Sequence, residues 1–121
     1  MKVDNFAIVN GEVTATFIAR HHYQGTTGSL HGGIAATALD EVLVWAGILQ
    51  EDVLAVTAKM EVRYHRPVET SDARLSVRAR VDDRSGRRLK ISGELLGSDG
   101  MKSVSASGLF LVTHTVDELL A

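Results

Sequence analysis

The chain contains no cysteine. That excludes disulfides, thiolate nucleophiles and cysteine-based metal sites. It is nearly without proline: Pro67 stands alone, just after the segment Val56–His65. It has little charge excess. The net charge is −2 with both signs interspersed, which leaves no electrostatic footprint for nucleic acid. There is no low-complexity segment, internal repeat or linker, and 121 residues fit one domain, 1–121, with a core large enough to fold. Met1–Asn5 holds an acid and no long apolar run, so it does not read as a secretory signal, and a cytoplasmic setting is expected. Among His21, His22, His31, His65 and His114 no pair has the i, i+4 spacing of a helix face. His21 and His22 would point to opposite faces of a strand. No metal site is expected.

What the chain does have is one long apolar run, Leu30 to Gln50, opening with His31-Gly32-Gly33. Only Thr37, Asp40 and Glu41 are polar between Gly33 and Leu49. A run of this length suits a helix rather than a strand. Apolar side chains on nearly every face imply a helix wrapped by other structure. Two adjacent acids at its centre argue against membrane insertion. Asp40 is the odd residue. Its helical neighbours are Ala36, Thr37, Leu43 and Val44, so a carboxylate there is poorly solvated and a functional candidate. A paired buried acid is the plainer alternative. Glu41, one position on, lies about 100° around the helix and cannot share that role. Gly32 and Gly33 at the helix start bring backbone N–H groups to the positive end of the dipole, an oxyanion-stabilising arrangement. Glycines also sit at helix ends for backbone reasons alone.

The remaining segments read as strands. Val3–Val9 is a short one, and Asn10-Gly11 is a two-residue hairpin signal. Alternation runs from Val13 to Arg20, and His21 to Ser29 is a glycine- and threonine-bearing loop into the helix. After Asp52, Val56, Ala58, Met60, Val62 and Tyr64 alternate with polar residues until Pro67 ends the strand. Further strands run from Ala73 to Asp82, through Leu89–Leu95 and through Val104–Val112, with turns at Ser85-Gly86 and Asp99-Gly100. Val116–Ala121 is a short helical turn or a frayed tail. Two strands, one helix and four strands joined by short turns give an α+β fold: a curled antiparallel sheet of five to six strands with the helix on its apolar face.

With those elements in place, the sequence resembles the hotdog-fold acyl-CoA thioesterases of the phenylacetate-degradation and human acyl-coenzyme A thioesterase type. The resemblance runs from about Val13 to Thr113. Its specific part is Gln24-Gly25, Gly28, His31-Gly32-Gly33 and the acid seven positions later, Asp40. Val56–Tyr64 followed by His65-Arg66-Pro67, and the pair Gly86-Arg87, match as well. The resemblance implies a thioester hydrolase without metal or redox cofactor, coenzyme A being part of the substrate. It implies that the Gly32 N–H polarises the thioester carbonyl and that Asp40 is nucleophile or general base. His31 would help hold the loop and thioester, and Thr57 would position water. Related enzymes often carry an asparagine where this chain has Gly25; Gln24 is then the side-chain amide near the carbonyl or water. Gly33 and Trp45 are candidates to line the substrate. Arg66, Arg84, Arg87, Arg88 and Lys90 are candidates for the phosphates of coenzyme A, beside the plainer role of a solvated surface.

The resemblance also implies homodimers, which pair further in some members, with two sites at the interface. Geometry supports the dimer independently. Gly32 and Asp40 are eight residues apart, roughly 12 Å along a helix, whereas a carbonyl and its attacking group must sit about 3 Å apart. Two antiparallel helices about a two-fold axis would bring Gly32 of one copy opposite Asp40 of the other. Two other classes stand beside hydrolysis: a non-catalytic acyl-CoA-binding module, and a hotdog dehydratase, which needs a catalytic histidine paired with an acid on another pattern.

Overall fold

A computed structural model describes residues 3–19, 32–68 and 73–121. The elements are β1 (Val3–Val9), β2 (Glu12–Ala19), α1 (Gly32–Glu51), β3 (Val53–Tyr64), β4 (Ala73–Ser85), β5 (Arg88–Leu96), β6 (Lys102–Thr115) and α2 (Val116–Leu120). The strands form one six-stranded antiparallel sheet in the order β1-β2-β4-β5-β6-β3. The sheet curls over α1, giving the α+β hotdog architecture. Asn10 (φ 51) and Gly11 (φ 77) both take the left-handed conformation that a tight two-residue hairpin demands.

α1 buries Ala35, Ala38, Leu39, Val42, Leu43, Ala46 and Gly47, at spacings of three and four. They pack on Phe17, Leu75, Val77, Leu89, Ile91, Leu95, Val104 and Phe110, the inward residues of the alternating strands. The opposite stripe, Gly33, Thr37, Glu41 and Trp45, is exposed. Composition suggested a helix enclosed on nearly every side. One open sheet covers only one side of it, and the far stripe of the single chain faces outward. By length and composition alone α1 could cross a bilayer; here its buried face shares one core with the inward residues of the sheet.

β3 departs from simple alternation. It begins at Val53, three residues before the expected start at Val56. Its register against β6 slips between Leu54 and Ala55 and again between Thr57 and Lys59, where Ala58 is the extra residue of a bulge. Val53 and Ala55 are therefore buried ahead of the bulge, while Val56 is exposed. Beyond it the parity reverses, and Met60 and Val62 lean on the core.

The outer face of the sheet carries a charge cluster. Glu94 is only 6% exposed. Arg78 Nε donates to its Oε2 at 3.0 Å, and Arg80 donates to both of its oxygens at 3.1 and 2.9 Å. Arg80 also donates to Glu12 Oε2 at 2.9 Å. Burial pushes the Glu94 carboxyl up, but hydrogen bonds and charge from Arg80 and Arg78 outweigh it and hold it below the ordinary value of 4.5. The bond to Glu94 in turn raises the Arg80 guanidinium above its ordinary range. A carboxyl depressed in the folded state adds stability above its unfolded pKa, which is lost as pH falls through the folded one. Thermal stability should therefore decline on acidification below about pH 4.5. Glu94→Gln should flatten that decline and cost about 2 kcal/mol at neutral pH. Melting curves across pH read both effects, and an unchanged slope in the variant would remove Glu94 as its source. Some slope remains in either case, because the Arg66 hydrogen bond also holds Asp99 low.

Candidate active site

Asp40 lies in the third turn of α1, half-buried. Thr57 Oγ1 donates to Asp40 Oδ1 at 2.7 Å. The strand explains the meeting. Val53 and Ala55 face the helix, so Thr57, next of the same parity, does too. Past the Ala58 bulge the even residues face inward, and Tyr64 ends that series. Tyr64 Oη donates to Gly32 O at 2.7 Å. One strand thus touches α1 at its carboxylate and again at its N-terminus. Thr57 and Tyr64 are seven residues apart, and a regular strand would have put them on opposite faces. The bulge depends on Gly108: a Cβ there would lie 2.5 Å from Lys59 O and 3.0 Å from Phe110 Cε1.

Gly32 and Gly33 open α1, as the sequence indicated, and no acid stands in the first turn. Gly33 is exposed, and its carbonyl accepts from Thr37 Oγ1 at 2.8 Å. The helix is continuous from Gly32 to Glu51. Gly32 and Asp40 of one chain are therefore about 12 Å apart along the axis. Gln24, Gly25, Gly28 and His31 lie outside the described residues.

Trp45 is 37% exposed, and its ring lies 5.1 Å from that of Phe6 on β1. Five residues turn a helix by about 140° from Asp40. Asp40 leans toward β3 and Trp45 toward β1, the two edge strands of the sheet. The chain does not bring Trp45 beside the acid. Glu41 is exposed on the outer stripe, away from Thr57.

The basic candidates fall in three places. Arg66 follows β3 at the N-terminal end of α1. It donates to Asp99 Oδ1 at 2.6 Å, Met101 O at 3.2 Å and Ser103 Oγ at 3.3 Å, so it closes the β5–β6 turn. Arg87 and Arg88 sit in and after the β4–β5 turn, exposed, beside Arg84, which reaches Glu51 at the C-terminal end of α1. Ser103 and Leu111, their partners on β6, are eight residues apart, about 26 Å of strand. Arg66 and the Arg87–Arg88 pair of one chain do not converge. Lys90 pairs with Leu109, as Lys59 does, and the two lysines flank a shallow groove of about 300 Å³ on the outer face.

Sequence reasoning missed Tyr64, Ala58 and Gly108. The alternation puts Tyr64 on one face with Met60 and Val62; what leaves no local signature is the bulge, which brings Thr57 onto that face too. Among the described residues no three His, Asp or Glu side chains converge on a point that could hold a metal ion.

The family model described as the thioesterase superfamily matches residues 27–104, more than half of the chain. No curated protein matches it. Among solved structures, a thioesterase superfamily protein is 32% identical with a TM-score of 0.76 over 84% of this chain, which spans 49% of that protein's length. A Streptococcus mutans protein bound to acetyl CoA is 17% identical with a TM-score of 0.81, covering 93% of this chain and 91% of its own. A hypothetical thioesterase from Streptococcus pneumoniae, solved with coenzyme A, is 16% identical with a TM-score of 0.79, covering 94% and 86%. At such identities the two streptococcal structures bear on the fold, and the family match on membership. The chain belongs to the thioesterase superfamily.

Proposed function

We propose that the protein is a cytoplasmic acyl-CoA thioesterase, working as a homodimer without a metal or redox cofactor. The observation that carries this is the Asp40–Thr57 pair, with the Asp40 carboxylate half-buried on a helix that opens with two glycines. Coenzyme A and acetyl CoA in the two streptococcal structures support the substrate class.

In the proposed reaction the thioester carbonyl meets the Gly32 N–H at the positive end of one helix and Asp40 of the other copy. Asp40 removes a proton from water as the water oxygen attacks the carbonyl carbon. The carbonyl oxygen takes up the electron pair against the Gly32 N–H. The C–S bond then breaks, the electron pair returning to form the acid, and coenzyme A leaves as the thiol after taking the proton. In the alternative order an Asp40 oxygen attacks the carbonyl carbon, the C–S bond breaks and coenzyme A leaves as a thiolate that takes a proton from solvent; water then opens the mixed anhydride to the free acid and Asp40. In both, Thr57 fixes one carboxylate oxygen and leaves the other to take the proton of water or to attack the carbonyl. From the motif, His31 is assigned to holding the loop and thioester, and Gln24 to the carbonyl or the attacking water. Gly33 is assigned to substrate contact, and Arg87, Arg88 and Lys90 to the nucleotide phosphates. Arg66 would have to leave Asp99 to join them.

The test is thiol release from a panel of acyl-CoAs spanning short, medium and long aliphatic chains and aromatic acyl groups. Turnover on some members is expected. Coenzyme A binding with no turnover on any would replace the hydrolase by a binding module. A second arm tests the shared site. Gly32→Pro deletes one N–H at the helix position that best tolerates proline. Mixed in equal amounts after unfolding and refolding, the inactive Gly32→Pro and Asp40→Asn chains should recover about a quarter of wild-type activity. Half the dimers are then mixed, and each has one intact site. No recovery, with both chains folded, would overturn the shared site.

A further inference from the structure

We propose that Tyr64 is a positioning residue, holding Gly32, whose N–H meets the thioester carbonyl, in place against β3; this rests on the function proposed above. Tyr64 Oη donates to Gly32 O at 2.7 Å. Three atoms of its phenol, Cε1, Cζ and Oη, lie 3.4 Å from where a Gly32 Cβ would stand. Fixing the Gly32 carbonyl fixes one of the two peptides that meet at the Gly32 Cα; the other carries the Gly32 N–H, so the donor is left only the rotations of a single residue. Helix ends fray, and two successive glycines are the residues that gain most freedom by fraying. An oxyanion donor must already be in place when charge develops, so a side chain that stops this motion acts on the rate.

The anchor itself is rigid. Tyr64 pairs with Val104 on β6, and just beyond it His65 N and Arg66 N both donate to Ser103 O, at 2.8 and 3.3 Å. Seven residues earlier the same strand carries Thr57 on Asp40. β3 thereby sets the carbonyl-binding end of α1 and the carboxylate in one frame, and the Ala58 bulge lets both side chains face the helix. Stability alone does not account for the contact. Tyr64 is 55% exposed, and a hydrogen bond at such a surface adds little to folding.

Tyr64→Phe keeps the ring and removes the hydroxyl. It is expected to lower kcat about tenfold while KM stays within about twofold and Tm falls by no more than a few degrees. Hydrogen exchange of the peptide covering the first turn of α1 should quicken, while that of β3 should not. A purely structural tyrosine would move Tm and leave kcat, and a substrate contact would raise KM; either result overturns the proposal. Asp40→Asn is run alongside. Turnover lost in Asp40→Asn but intact in Tyr64→Phe overturns the role of Tyr64 alone. No turnover in the wild type overturns it together with the thioesterase function.

Discussion

Asp40→Asn is expected to lower kcat by about three orders of magnitude, with the fold intact and Tm no lower than in the wild type. The substitution is nearly isosteric. Asparagine Oδ1 can still accept the Thr57 hydroxyl, so the strand–helix contact at 2.7 Å survives. What is lost is the charge. An amide neither takes a proton from water nor attacks a carbonyl, and a positioned general base contributes about 10²–10⁴ in rate. Stability should hold or rise, because the carboxylate sits half-buried beside Leu43 and Val44, where a neutral amide is less costly to desolvate. Thiol release on the best acyl-CoA, with a melting curve on the same preparation, reads both quantities. If the variant keeps more than a tenth of wild-type kcat, Asp40 is neither base nor nucleophile. A large fall in Tm would show instead a structural acid whose loss unfolds its surroundings.

Much of this arrangement is legible in the sequence, for physical reasons that also mark the limits. The apolar run from Ile34 to Leu49 has the wrong length for a strand and the wrong acids for a membrane, so a helix against a sheet was the remaining solution. The inward faces of β2, β4, β5 and β6 follow from period-two alternation, as at Val13, Ala15 and Phe17 or Leu89, Ile91 and Leu95. Asp40 announced itself as a charge among alanines and leucines. β3 was legible only in part. Its alternation reads as one face, Val56 to Tyr64, whereas Val56 is exposed and Thr57 faces the helix. The bulge at Ala58 arises where Lys59 O approaches Gly108, on a strand remote in sequence. No window along β3 contains that information. The same holds for Arg66: a basic residue after a strand fits a phosphate as well as a turn, and only the folded chain brings Asp99 to it. The open stripe from Gly33 to Trp45 was hidden for another reason. Apolar composition reports that a face is to be covered, not whether the same chain covers it.

Gly93→Ala is expected to destabilise the fold by about 3 kcal/mol and lower Tm by about 10 °C. Gly93 stands on the inward face of β5 between Ala79 and Ala106. This row of small residues lets α1 come close to the middle of the sheet. A Cβ at Gly93 would lie 2.5 Å from Arg78 O, 2.9 Å from Leu43 Cδ2 and 3.2 Å from Ala79 Cβ. Leu43 can rotate, but Arg78 O belongs to the backbone of the ladder, and the Arg78 side chain is tied to Glu94. Either β5 shifts against β4 or the helix lifts. Gly47→Ala is the control. Its Cβ would meet Leu89 Cδ1 at 3.4 Å, an ordinary contact, and alanine is favoured over glycine inside a helix by about 1 kcal/mol. That variant should be neutral or more stable, so two buried glycines facing each other's elements should respond with opposite signs. Equal responses would show that packing distance does not govern this interface. If α1 lifts in Gly93→Ala, the Asp40–Thr57 and Gly32–Tyr64 bonds stretch with it, because both cross from the helix to β3. Activity measured well below the melting transition should then fall in Gly93→Ala and persist in Gly47→Ala, which ties the seating of the helix on the sheet to the chemistry at its far edge.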